Sequence, residues 1–275
     1  MDKKNGFVLN GETGYFENKG VSVMAFTDIY AAGHQSGVSM IMHGNRVATN
    51  GDLRFEQTPG QWQPLPKDVE RKVDVETNTI STTLRYPDER FHLKGFNPMI
   101  YPDVQLTYTV HVQGEGEKMK VWVDLETPIP DFLVGKACFN IELFPGALFG
   151  KPWVMDDKQG IFPRQPIGPV QKMPGNLAHA MPADKDAQII ADIHHLSKDE
   201  KTYNPITADT LIAAPYAVGK KFTVRPDDPY NRFTVESKKG DIKFYDGRMN
   251  HNNGWFVLSC EIEAGATEKA VEWEI

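Results

Sequence analysis

Apolar and polar residues alternate at every second position through most of this chain. In "QLTYTVHVQGEGEKMKVWVDLE", Leu106, Tyr108, Val110 and Val112 share one face, and Met119, Val121, Val123 and Leu125 share another after a turn at Gly114 and Gly116. The same period runs through Ile80, Thr82, Leu84 and Tyr86, through Phe139, Ile141 and Leu143, and through Phe256, Leu258, Cys260 and Ile262. About fifteen such runs, separated by Gly, Pro, Asn and Asp clusters, predict an all-β fold, a large antiparallel double β-sandwich of supersandwich type.

Helical spacing is confined to residues 183–201, where Ile189, Ile193 and Leu196 fall on one face and predict one short helix. The stretch from Ile161 to Pro182 carries five prolines and little alternation, which predicts a long surface excursion. The strands after residue 208 have the character of those before 150. The chain therefore reads as a single sandwich domain over 1–275, with an insertion over 163–207.

Composition narrows the partners. Thirty basic against 37 acidic side chains give a formal charge of -7 and a pI of about 5.6, which supplies no electrostatic basis for nucleic-acid binding. No run of about eighteen apolar residues occurs, so no membrane insertion is expected. Cys138 and Cys260 both lie in apolar strand-like segments and are expected as small buried residues, with a disulfide between them left open. The sequence holds no Cys-x-x-Cys, His-Glu-x-x-His, Gly-rich phosphate loop or Gly-x-Ser-x-Gly elbow, and His194 and His195 are adjacent and point apart. Neither a metal nor a cofactor is expected.

Two segments concentrate polar chemistry: "MHGNRVATNGDLRF" (42–55) and "FYDGRMNHNNGWF" (244–256). Amide, guanidinium and carboxylate groups beside an aromatic ring are the inventory that holds sugar hydroxyls and C–H faces. The ligand-binding candidates are His43, Asn45, Arg46, Asp246, Arg248, His251 and Trp255. The competing reading is architectural: Asn50-Gly51 and Asp246-Gly247 are hairpin-turn dipeptides, and Arg46, Arg54 and Arg248 bridge to carboxylates within the fold. Candidates for catalysis are His43 or His251 as base, and Glu142 as a carboxylate of raised pKa within an apolar strand, its competing reading being an outward side chain on the polar face beside Asn140. Trp62 and Trp153 are candidates for docking against another domain.

The segments "GVSVMAFTDIYAAGHQSGVSMIMHGNRVATNGDLRFEQTPGQWQPLP", "KGFNPMIYPDVQLTYTV", "FNIELFPGALFGKPWVMDDKQGIFPRQPIGPV" and "DGRMNHNNGWFVLSCEIEAGATEKAVEWEI" together resemble the N-terminal β-sandwich module of multidomain bacterial enzymes of glycoside hydrolase family 9, the cellulase-like family. The likeness spans residues 7–170 and 208–275. In those enzymes an immunoglobulin-like domain and an (α/α) barrel follow, and the barrel carries the catalytic carboxylates. No position here matches them. The resemblance thus implies a non-catalytic, carbohydrate-associated module, periplasmic or extracellular, that binds oligo- or polysaccharide or supports a glycosidase catalytic domain. The alternative is a stand-alone carbohydrate-active enzyme, hydrolase, lyase or epimerase, using a histidine–carboxylate site.

Overall fold

The computed structural model describes residues 6–27, 37–55, 66–88, 104–172, 211–250 and 254–275. In chain order its strands are β1 (Val8–Asn10), β2 (Tyr15–Asn18), β3 (Val21–Ala25), β4 (Val38–Met42), β5 (Asn45–Phe55), β6 (Lys67–Asp74), β7 (Thr79–Tyr86), β8 (Leu106–Glu115), β9 (Lys118–Leu125) and β10 (Ala137–Leu143). After one helical turn, Pro145–Leu148, come β11 (Pro152–Met155), β12 (Lys158–Ile161), β13 (Val170–Lys172), β14 (Leu211–Ala213), β15 (Pro215–Gly219), β16 (Lys221–Val224), β17 (Phe233–Lys239), β18 (Ile242–Asp246), β19 (Phe256–Glu261) and β20 (Val271–Glu274).

They build two nine-stranded antiparallel sheets, ordered β1-β2-β3-β4-β5-β10-β19-β18-β15 and β12-β11-β16-β17-β20-β9-β8-β7-β6. The expected all-β double sandwich is the fold observed. β8 and β9 show why: Tyr108, Val110, Val112, Val121 and Val123 are buried on one face, while Thr109, His111, Trp122 and Asp124 remain half-exposed on the other. Rings cross between the layers, Phe139 of β10 meeting Trp273 of β20 edge-on at 5.1 Å and Trp153 of β11 meeting Phe244 of β18 at 5.1 Å. Trp153 is therefore a core residue and not a docking aromatic. Both cysteines are buried and free. The segment 183–201 and Trp62 lie outside the described residues.

The middle of the first sheet departs from simple alternation. All seven residues of β10 are buried. Phe139, Ile141 and Leu143 enter the inter-sheet core; Cys138, Asn140 and Glu142 alternate with them, so they lie on the face turned away from the second sheet and are buried there too. The polar face expected around Glu142 exists but is closed off from water.

The turn chemistry also sits elsewhere than expected. The β4–β5 hairpin turns at His43-Gly44, both with positive φ (50° and 80°), the signature of a two-residue loop matched to strand twist. Asn50-Gly51 is a bulge inside β5, lying between the pairs Thr49↔Glu142 and Asp52↔Asn140, with Asn50 at φ 54°. Asp246-Gly247 is no hairpin turn either: the Asp246 carboxylate accepts from the Arg248 N–H and caps the 3-10 turn Gly247–Met249. β13, within the excursion, pairs with β14 as a two-stranded ribbon that brackets residues 173–210.

A Cβ added at Gly51 would lie 2.5 Å from Val38 Cβ and 2.9 Å from Val38 O on β4. Gly51→Ala should destabilise the fold by about 1–3 kcal/mol through overpacking, seen as a lower urea midpoint with an unchanged slope; an unchanged midpoint would show that β4 and β5 separate freely.

Candidate functional site

Register places both polar segments at one end of the first sheet. Ala48 pairs with Leu143, Leu143 with Phe256, and Phe256 with Asp246, so a single row crosses β5, β10, β19 and β18. The residues flanking β18 and β19 lie just beyond that row, which spans roughly 15 Å at about 4.8 Å per strand, and the β4–β5 turn lies beyond the same end, four to five residues past Ala48. Sequence proximity alone does not show this, since the two segments are some two hundred residues apart.

At that end the side chains have different fates. Arg248 is committed to the fold: its guanidinium makes a paired contact with Asp246 (Nε–Oδ1 and Nη2–Oδ2, both 2.8 Å), donates to the carbonyls of Pro163, Arg164 and Gln165, and lies over the Phe256 and Phe149 rings. His43 stacks on Tyr230 at 3.8 Å, and its Nε2 lies 3.0 Å from the Tyr230 carbonyl. A carbonyl only accepts, so Nε2 carries the proton, and Nδ1 is turned to Gly20, where an added Cβ would stand 2.9 Å from it. Asn45 is exposed, and Arg46 is half-buried opposite Ile41. Trp255 is half-exposed and meets half-exposed Phe144 at 4.4 Å in an edge arrangement. His251 lies outside the described residues.

Just behind the row, on the outer face, Glu142 accepts from Arg54 Nη1 at Oε1 (3.0 Å) and from Asn50 Nδ2 at Oε2 (2.7 Å), with both charged side chains buried. The bulge brings Asn50 to this carboxylate. Asn140, opposite Asp52, lies beside them, and the Oδ1 atoms of Asn50 and Asn140 are both buried without a hydrogen-bond partner. Each such oxygen costs about 1–3 kcal/mol. Asp52 itself is fully enclosed; Tyr108 of the second sheet donates to it at 3.0 Å, and burial pushes its carboxyl up to about 7.

A third grouping lies on the outer face of the second sheet. Ser81 Oγ is 2.8 Å from His111 Nδ1, His111 Nε2 is 3.2 Å from Asp124 Oδ2, and Trp122 stacks on His111 at 4.7 Å. Burial lowers the imidazole pKa, with Asp124 opposing. The three polar groups are those of a nucleophilic relay, but β7 is laddered on both sides by β6 and β8, so the backbone N–H groups around Ser81 are engaged in the sheet and do not form an oxyanion hole. The grouping works as a cross-strand cluster.

Among the described residues, no three His, Cys, Asp or Glu side chains are placed to hold a metal ion, and no helix is long and apolar enough to cross a membrane. Comparisons with protein-family models, with characterised proteins and with solved structures find no match.

Arg54→Ala, which removes the guanidinium from a buried carboxylate, should cost about 3–5 kcal/mol in urea unfolding, while Arg54→Met combined with Glu142→Leu should recover most of it; equal losses in both would remove the pair from the energetics. Because the folded-state pKa of Asp52 is raised, the folded state holds its proton longer than the unfolded chain. Its contribution is complete below about pH 4, falls by up to about 1.4 kcal/mol per pH unit as pH rises toward 7, and levels off above. Asp52→Asn should flatten that part of the stability–pH curve, and a curve parallel to the unsubstituted protein's would refute the assignment.

Proposed function

We propose that this chain is a non-catalytic, carbohydrate-associated β-sandwich module that holds oligo- or polysaccharide at the end of the first sheet where its two polar segments converge. The observation that carries the reading is this convergence: half-exposed Trp255 and Phe144 stand in one row with the hairpin that presents Asn45. An aromatic face for sugar C–H groups, beside amides that take hydroxyls in pairs, is the chemistry such a ligand needs. The commitments of the acid–base candidates support a binding role over a catalytic one: His43 is stacked on Tyr230 and bonded through Nε2 to its carbonyl, and Glu142 is bonded to Arg54 and Asn50. The resemblance to a family 9 module agrees with the ligand class, and with export and support of a glycosidase catalytic domain.

Affinity electrophoresis through a panel of plant and bacterial polysaccharides tests this. Retention on at least one is expected, with Trp255→Ala weakening it tenfold or more, about 1.4 kcal/mol, in a variant that still unfolds in one cooperative transition. Equal retention of the variant would discard the aromatic platform, retention on no polysaccharide would discard glycan binding, and release of new reducing ends would make the chain an enzyme.

A further inference from the structure

We infer that the outer face of the first sheet holds a second, enclosed recognition site, in which Asn50, Asn140 and the Arg54–Glu142 pair receive the terminal residue of a neutral, hydroxyl-rich ligand. The inference rests on the carbohydrate reading and adds a place and a mode to it.

The chemistry follows from which atoms lack partners. The Glu142 carboxylate only accepts, so Asn50 has to offer it the amide NH2, and this fixes the Asn50 Oδ1 as the atom left over. Asn140 also leaves Oδ1 unpartnered, at 3% exposure. It sits two residues from Glu142 on the same face of β10, about 7 Å along the strand. Two buried acceptors beside one ion pair call for donors from outside the described side chains.

Charge narrows the ligand. A cation at the two oxygens would face Arg54, and an anion would face Glu142 and two carbonyl dipoles. A neutral molecule carrying O–H donors meets neither objection. Enclosure sets the mode: Arg54 and Glu142 are 5% exposed and Asn140 3%, with Asn50 the more accessible of the four. A polysaccharide laid across the face would not reach them, whereas one terminal residue entering beside Asn50 would. The loop platform at Trp255 and this enclosed pair would then read the body and the end of one chain.

Asn140→Leu separates recognition from architecture. It removes a buried orphan oxygen while keeping the same side-chain branching and number of heavy atoms, so the thermal midpoint should hold or rise, whereas a structural asparagine would lower it. Isothermal titration of the full chain with glucose, galactose, mannose and xylose, and with β-linked oligosaccharides of each, should show at least tenfold weaker binding by the variant. In the unsubstituted protein, the side-chain amide NMR signals of Asn50 and Asn140 should shift as the sugar saturates, a readout independent of how the variant folds.

Wild-type affinity retained by Asn140→Leu, or amide signals that stay fixed while sugar binds at Trp255, would overturn this site and leave the carbohydrate reading standing; an enclosed water would then satisfy the two oxygens. Binding kept by Trp255→Ala but lost in Asn140→Leu would support the enclosed site alone. No binding of any sugar by the unsubstituted protein would overturn both.

Discussion

A carboxylate on a central strand of a nine-stranded sheet, closed off from water, demands a counter-charge and further hydrogen bonds, and Glu142 finds them in Arg54 and Asn50 on the adjacent strand. That requirement shapes the strand beside it. Arg54 stands opposite Cys138, four residues along β10 from Glu142, and a regular β5 would not also deliver Asn50 to the other oxygen. The extra residue at Asn50-Gly51 makes both contacts reachable, and the glycine lets β4 come close enough to complete the sheet. The strongest polar contact of this face and its most irregular backbone are therefore one feature.

The two sheets treat their outer faces in opposite ways. On the second sheet, Thr83 meets Thr109, Ser81 meets His111, and Lys118 and Lys120 meet Glu274 and Glu115, all on a solvated surface where each pair contributes little. On the first, the corresponding positions of β10 are enclosed and polar. Solvated polar groups are indifferent to modest changes of neighbour; enclosed ones are not, and their unmet hydrogen bonds are the most direct physical reason to look for a ligand there.

Much of the fold was legible because most strands are half-buried and report it through alternation, as β8 and β9 do. The dipeptide Asn50-Gly51 misled for a definite reason: a hairpin turn and a bulge can both require positive φ, and Asn-Gly supplies it in either place. His43-Gly44, near the start of the same segment, has the same backbone and a weaker signature. The site was harder. Period two assigns Asn140 and Glu142 to one face but does not say whether that face meets water. A signal was present in the side chains themselves: β10 places Cys138, Asn140 and Glu142 on one face and β5 brings Asn50 and Arg54 to it, whereas the solvated β9 offers Lys118 and Lys120. The ion pair between two strands 88 residues apart needed the register to be seen.

The ribbon of β13 and β14 sets terms for the segment between its strands. Entry and exit are clamped side by side by backbone hydrogen bonds at Val170–Lys172 and Leu211–Ala213, which fixes where the chain leaves this ribbon and where it rejoins it. Loop-closure entropy grows with the logarithm of length, about 0.6 kcal/mol per doubling. With the two ends held together by strand pairing, a change in the length of the segment they bracket alters this closure term by only a fraction of what a lost ladder in a central strand would cost.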